Sequence, residues 1–438
     1  MYLPDKKVEK NLRLAIYDGV FAGAMTGFVQ EYLAPFIILA GATVRQIGFL
    51  TAIPNLMAAL LQIKSAEITD WLGSRKKVLN YFVFLQASML VLMVLLTVFW
   101  TQHIYIFISL VALYTSFGAF ATPAWGSLMS DLVPEDRRGE FFGWRDKLNN
   151  FVIILAMLSA GVIIHYSKSV SFTVGFAVIF MLAFLSRMAS WSLLRRLYEP
   201  PLQKHTGRDG TFMKFLAGIR ESNFAKFVIS VSLMNFSVNL AVPFFAVLML
   251  RELHFSFILY TVIILTASLT IFFTIKRWGM HADRVGYIKI IKSTSLLICF
   301  LPLLWIVNRN PLFLIIVQVF SGFLWAGFNI SATNFIFDAV PSRERTRSIA
   351  YFNVINGSFL FAGAFIGGVL VKELPPIFGS KILTLFLTSS ILRLAVTFMM
   401  ILRLQEVRKV KDIKSIDLFS SVIGIRPLLG IERKTLRY

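Results

Sequence analysis

The side chains that could do chemistry in this 438-residue chain are the few ionisable and amide groups set inside long apolar runs. Glu31 lies about seventeen residues into the first run, roughly 26 Å along a helix. A carboxylate at that depth is costly to bury and ordinarily faces a water-lined cavity or a partner. Glu31, with Gln30 beside it, is therefore the first candidate for holding a substrate or a cation; a hydrogen bond between helices is the structural alternative. Asn235 and Asn239 stand one helical turn apart and share a face. Asn149, Asn353, Asn356, Gln318, Trp325 and Asn329 add amide and aromatic groups in other runs, and each could contact a solute or simply tie two helices together. Arg187 and Arg393 sit nine and ten residues before Arg196 and Arg403, with no acid adjacent in sequence. Pairing with carboxylates such as Glu67 or Asp146 is expected to hold helices together, and reception of an anionic substrate is the other use of such groups. Asp18, about one turn inside the first run, is expected at the interface. The five His are scattered over loops and run ends without ligand spacing. The single Cys299 leaves no disulfide or cysteine metal site to propose. No catalytic residue, metal ligand or cofactor is assigned, and an enzyme is not expected.

The elements that must position these groups are apolar helices. The chain is 57% hydrophobic and only 15% charged, where an ordinary soluble domain is roughly a quarter charged. Its mean hydropathy is +0.73. A membrane span needs about 20 mostly apolar residues, and twelve runs qualify, from 14–39 to 382–404. The second, 46–63, is short enough to put Gln46 or Lys64 at the interface. Lys and Arg gather in both tails and in the loops after even-numbered runs; Arg45, Lys168, Arg251, Arg309, Lys372 and Lys381 fall on the other side. The positive-inside rule then places both termini in the cytoplasm. Spread this way, the net charge of +21 forms no nucleic-acid face. Residues 1–13 read as a basic cytoplasmic tail leading into a retained first span, not a cleaved signal peptide.

The longest polar break, 195–226 with Pro200 and Pro201, divides two six-run halves, 14–194 and 227–404. The halves repeat. Ala34-Pro35-Phe36 recurs as Val242-Pro243-Phe244, and Asp131-Leu132-Val133-Pro134 recurs as Asp338-Ala339-Val340-Pro341 at a spacing of 207. In the same register Arg138 meets Arg345 and Asn149 meets Asn356, and the two arginines are expected in charge pairs between helices or halves, together with Asp146, Arg187 and Arg393. Residues 405–438 form a basic tail in which Arg408, Lys409, Lys411 and Lys414 are expected along anionic headgroups. Its apolar piece, 418–429, is too short to span.

Two loops on the positive side carry the most specific signal. One reads Ala66-Glu67-Ile68-Thr69-Asp70-Trp71-Leu72-Gly73-Ser74-Arg75-Lys76, the other Gly279-Met280-His281-Ala282-Asp283-Arg284-Val285-Gly286. Both resemble the G-x-x-x-D-R-x-G-R-K loop of the major facilitator superfamily; the first replaces its leading Gly by Ala66 and its Arg by Trp71. Gly73 and Gly286 suit a sharp turn. Asp70 and Asp283 can reach the positive end of a neighbouring helix. The resemblance implies an all-α membrane fold of twelve helices in two pseudo-symmetric six-helix bundles, with the first and seventh spans lining a central cavity. It implies a secondary transporter that moves a small organic solute by alternating access, coupled to H+, Na+ or another cation through Glu31. Asp70, Gly73, Arg75, Gly279, Asp283, Arg284 and Gly286 would form its conformational latch. A proton-driven drug or metabolite efflux pump is the alternative, weakened by a fourth span without Arg and a fifth without a Gly-Pro ending; a receptor, scaffold or membrane enzyme is more remote. The expected partners are membrane lipid and a small-molecule substrate, with no nucleic acid, and the expected state is a monomer in a bacterial or archaeal inner membrane.

Overall fold

The computed structural model describes residues 5–133, 138–167, 169–200, 223–340, 345–406 and 415–423. Among the described residues twelve helices are long and apolar enough to span a membrane. In the first half they are α1 (Glu9–Leu39), α2 (Val44–Gln62), α3 (Arg75–Phe99), α4 (Ile104–Met129), α5 (Phe141–Ser167) and α6 (Phe172–Leu194). In the second half they are α7 (Asn223–Glu252), α8 (Phe257–Val285), α9 (Tyr287–Val307), α10 (Pro311–Ile336), α11 (Tyr351–Glu373) and α12 (Lys381–Arg403). A short helix, α13 (Ser415–Ile423), follows. The helix leading into α1 already begins at Asp5, so the expected N-terminal tail is largely an extension of the first span. An even number of spans puts Glu9 and Arg403 on one side, the terminal face; the other is the far face.

Local sequence explains where the spans start and break. Thr43 and Gln46 form a reciprocal cap at the start of α2, with Gln46 Oε1 accepting from the Thr43 amide at 2.8 Å. Gln46 thus serves the helix end. Proline lacks an amide hydrogen and displaces the carbonyl four residues earlier. Pro35 breaks α1 into two α-helical segments around the 3-10 turn Gln30–Tyr32, and Pro243 accompanies the break of α7 after Asn239. The last turn of α7, Leu248–Glu252, is a π-helix.

The packing repeats between halves. Helix α1 packs on α5 and α6, as α7 packs on α11 and α12; α2 packs on α4, as α8 on α10; α3 packs on α4 and α6, as α9 on α10 and α12. The halves meet through α2 against α11 and α5 against α8, which exchange under the same repeat. Close approach of α1 to α5 rests on small residues. A Cβ at Gly27 would fall 2.5 Å from the Ile153 carbonyl oxygen and 2.7 Å from Ala156 Cβ. Gly27→Ala is therefore expected to cost about 1–3 kcal/mol by overpacking, seen as a lower unfolding midpoint of the purified protein in detergent.

The basic tail contributes a further packed element. Helix α13 docks on α8: Leu418 and Val422 are buried, Phe419 packs edge-on against Trp278 at 5.8 Å, and Ser421 Oγ meets His281 Nε2 at 2.8 Å. The basic residues 408–414 lie outside the described part.

Candidate functional site

Glu31 occupies the 3-10 turn that breaks α1. The carbonyl freed by Pro35 is its own, and Tyr260 of α8 donates to it at 2.9 Å. The hydroxyl of the adjacent Tyr32 donates to the Met157 carbonyl at 2.5 Å and stands 2.9 Å from Thr261 Oγ1. Among the described residues the Glu31 carboxylate itself has no hydrogen bond or ion pair, and Gln30 beside it is exposed. The hydroxyls nearest this carboxylate are thus engaged elsewhere, while its own oxygens are free to accept. Arg251, in the π turn of α7, completes the arrangement: its Nη2 donates to the carbonyls of Ile38 at 2.8 Å and Ala42 at 2.6 Å, at the end of α1. Apart from the Tyr32–Met157 bond, these are contacts from one half to the other, towards the far face.

The amide candidates fall into separate groups. Asn235 Nδ2 donates to Asn356 Oδ1 at 2.7 Å across α7 and α11, and Asn239 Nδ2 donates to the Asn235 carbonyl at 3.0 Å. Asn149 lies on α5 against Gly23 of α1, and its buried Oδ1 has no hydrogen-bond partner among the described residues. Gln318 and Trp325 are half-buried and Asn329 exposed, all on α10; Trp325 packs edge-on to Phe328 at 5.3 Å. No hydrogen bond among the described residues joins the α10 groups to Glu31 or to the asparagines.

The repeated loops behave as turns, with one unexpected anchor. Gly73 and Gly286 have φ of 61° and 94°, the left-handed region that favours glycine. Gly279 lies within α8 with room for a side chain, in keeping with Ala66 in the first copy. Asp70 and Arg284 are exposed, and Asp283 accepts from Tyr287 Oη at 2.8 Å within its own half. Arg75 is the buried member. Its Nη1 binds Asp131 at 2.5 Å and its backbone amide donates to Glu199 at 2.6 Å, tying the start of α3 to the end of α4 and to the segment after α6. Among the described residues no hydrogen bond or ion pair from either loop crosses to the other half.

The buried charges correct two expectations. Asp18 is not interfacial: its side chain is 4% exposed and accepts from Ser190 Oγ at 2.6 Å. Arg187 of α6 reaches this cluster, donating to Ser190 Oγ at 3.2 Å, and does not pair with Glu67 or Asp146. Glu67 pairs with Lys64 at 2.8 Å on the surface. Arg145, which the sequence reading did not single out, lies 3.6 Å from Asp18 and 3.8 Å from Asp146. Arg393 is buried in α12, donating to Ser389 Oγ at 3.1 Å and the Ile298 carbonyl at 3.4 Å, with no carboxylate within ion-pair distance among the described residues. Arg138 and Arg345 begin helices; their side chains lie outside the described part.

Two six-helix sets with the same internal packing, joined by two symmetry-related helix pairs and broken at membrane depth beside a free carboxylate, define a multi-pass membrane protein of the carrier type. The chain belongs to the Major Facilitator Superfamily, whose sequence model matches residues 19–364 and 227–432. Its fold is similar to that of the nucleoside transporter NupG, with a TM-score of 0.68 and 16% identity over 90% of this chain and 99% of that one. It is similar also to a D-xylose-proton symporter, at 0.69 and 14% over 92% and 100%. A bacterial homolog of the human lysosomal transporter Spinster, in an inward-facing and unoccupied conformation, aligns at 0.64 and 13% over 92% and 96%. No curated protein matches the chain in sequence.

Proposed function

We propose that the protein is a secondary active transporter that moves a small organic solute by alternating access, coupled to H+ or another cation through Glu31, with both termini in the cytoplasm. The observation that carries this reading is the asymmetry between the two faces. On the far face, Arg251, Tyr260 and Thr261 of the second half hold carbonyls and the Tyr32 hydroxyl of the first. On the terminal face, neither repeated loop binds across among the described residues. That combination suits a carrier closed to the outside and open to the cytoplasm, in which Asp70 and Asp283 engage the opposite half only after the cavity turns over. Sugar and nucleoside carriers among its structural neighbours make pentoses and nucleosides the first solutes to test.

The test is solute flux into proteoliposomes over a panel that includes both classes, at imposed pH and Na+ gradients. Gradient-dependent flux of at least one solute is expected; none over a broad panel, with hydrolase or transferase activity instead, would reject a carrier. In the same vesicles Asp70→Asn is expected to slow turnover about 2- to 5-fold, the worth of a carboxylate near a helix end, with apparent affinity unchanged. Unaltered turnover would remove Asp70 from the latch.

A further inference from the structure

The Asp18 cluster contains an arginine with two alternative acidic partners. Arg145 Nη2 lies 3.6 Å from Asp18 Oδ2 and Arg145 Nη1 lies 3.8 Å from Asp146 Oδ1. The distances are nearly equal and the surroundings opposite, the Asp18 side chain being 4% exposed and that of Asp146 66%. The guanidinium is mounted on a pivot. Its Nε donates to the Ala15 carbonyl at 3.1 Å, and its face lies 3.9 Å from the centre of the Trp125 ring. Gly19 makes the approach possible, since a Cβ there would stand 3.1 Å from that Nε. The other groups facing Asp18 are Ser190 and Arg187 from α6, with Tyr114 of α4 close to Arg187.

We propose that Asp18 is a proton-binding site and that Arg145 is its switching counter-ion, held inward by the ionised carboxylate and released to Asp146 when Asp18 takes up a proton. The charge count supports it. Asp18, Arg145 and Arg187 together carry one net positive charge when Asp18 is ionised. A proton from water on the terminal face forms an O–H bond on Asp18 and raises this to two, with Arg187 buried and the Arg145 side chain 13% exposed. Buried charge without a partner is strongly unfavourable, and Arg145 has an exposed carboxylate within reach to relieve it. Helix α5, which carries Arg145, also packs on α8 of the other half, so the switch sits on one of the helices at which the halves meet. Asp18 lies 13 residues before Glu31 on α1, roughly 20 Å away, so the two carboxylates serve opposite ends of one helix. The role in coupling rests on the carrier reading above; proton binding itself needs no solute.

The experiment is a pH titration of the purified full-length protein in lipid nanodiscs from about pH 4.5 to about 9.5, with no solute present, followed by tryptophan emission because Trp125 lies on the moving guanidinium. A one-proton transition is expected in the wild type, lost in Asp18→Asn and in Trp125→Phe and kept in Glu31→Gln. A wild type without a transition, or a transition that survives Asp18→Asn, overturns the proposal. Should Asp18→Asn fail to fold, Ser190→Ala keeps every charge and removes the hydroxyl that donates to Asp18 and accepts from Arg187. Its midpoint is expected to move by roughly 0.5–1 pH unit, and an unmoved midpoint overturns the site. A transition that depends on Asp18 in a protein that moves no solute upholds the site and rejects the carrier reading instead.

Discussion

Glu31→Gln is expected to lower coupled solute flux by roughly 10- to 150-fold, the equivalent of about 1.5–3 kcal/mol for a hydrogen bond to a charged group. The protein is expected to stay folded. Both halves of this expectation come from the same geometry. The carboxylate has no hydrogen bond or ion pair among the described residues, because the Tyr260 hydroxyl is spent on the Glu31 carbonyl and the Tyr32 hydroxyl on Met157 and Thr261. An amide of the same shape therefore orphans no donor, and removing a charge that has no partner relieves a cost. The melting temperature of the variant is expected to equal or exceed that of the wild type. A structural carboxylate would behave in the opposite way, with a lower melting temperature and flux of unchanged pH and ion dependence, and that pair of results would dismiss Glu31 as a binding group.

How much of this could be read beforehand follows from the range of the interactions. Spans, the break at Pro35 and the left-handed glycines Gly73 and Gly286 are encoded within a few residues, and the sequence displays them. The true setting of Asp18 does not show in the sequence because its surroundings are remote: Arg145 and Arg187 arrive from helices more than a hundred residues away. A carboxylate one turn into an apolar run looks the same whether it faces headgroups or two guanidiniums. Arg145, near the start of its span, resembles an interfacial anchor for the same reason. For α13 the sequence shows an apolar piece too short to span, and a lipid surface and the end of α8 can each cover such a piece. The free state of the Glu31 carboxylate was legible only as depth; that its neighbours are occupied depends on which hydroxyls α8 delivers.

Arg251→Ala is the second large effect, and it acts on conformation. The last carbonyls of a helix lack intrahelical donors, and a basic side chain at that end can satisfy them. Here the helix end belongs to one half and the arginine to the other: Nη2 of Arg251 serves the Ile38 and Ala42 carbonyls at 2.8 and 2.6 Å. The π turn of α7 sets the arginine at the boundary, an irregularity of the kind often found at functional sites. On the alternating-access reading proposed above, these two charge-assisted bonds, each worth about 1.5–3 kcal/mol, break when the far face opens. Their loss is expected to shift the closed-to-open ratio by at least roughly tenfold. Spin labels at Arg45→Cys and Glu252→Cys in a Cys299→Ser background report the gap directly by pulsed electron resonance. A single short distance is expected with Arg251 in place, a second and longer population in Arg251→Ala, and partial return in Arg251→Lys, which keeps the charge but not the fork of donors. If the distance distribution does not change in Arg251→Ala, the closed far face is held by apolar packing between the halves, and Arg251 is only a helix cap.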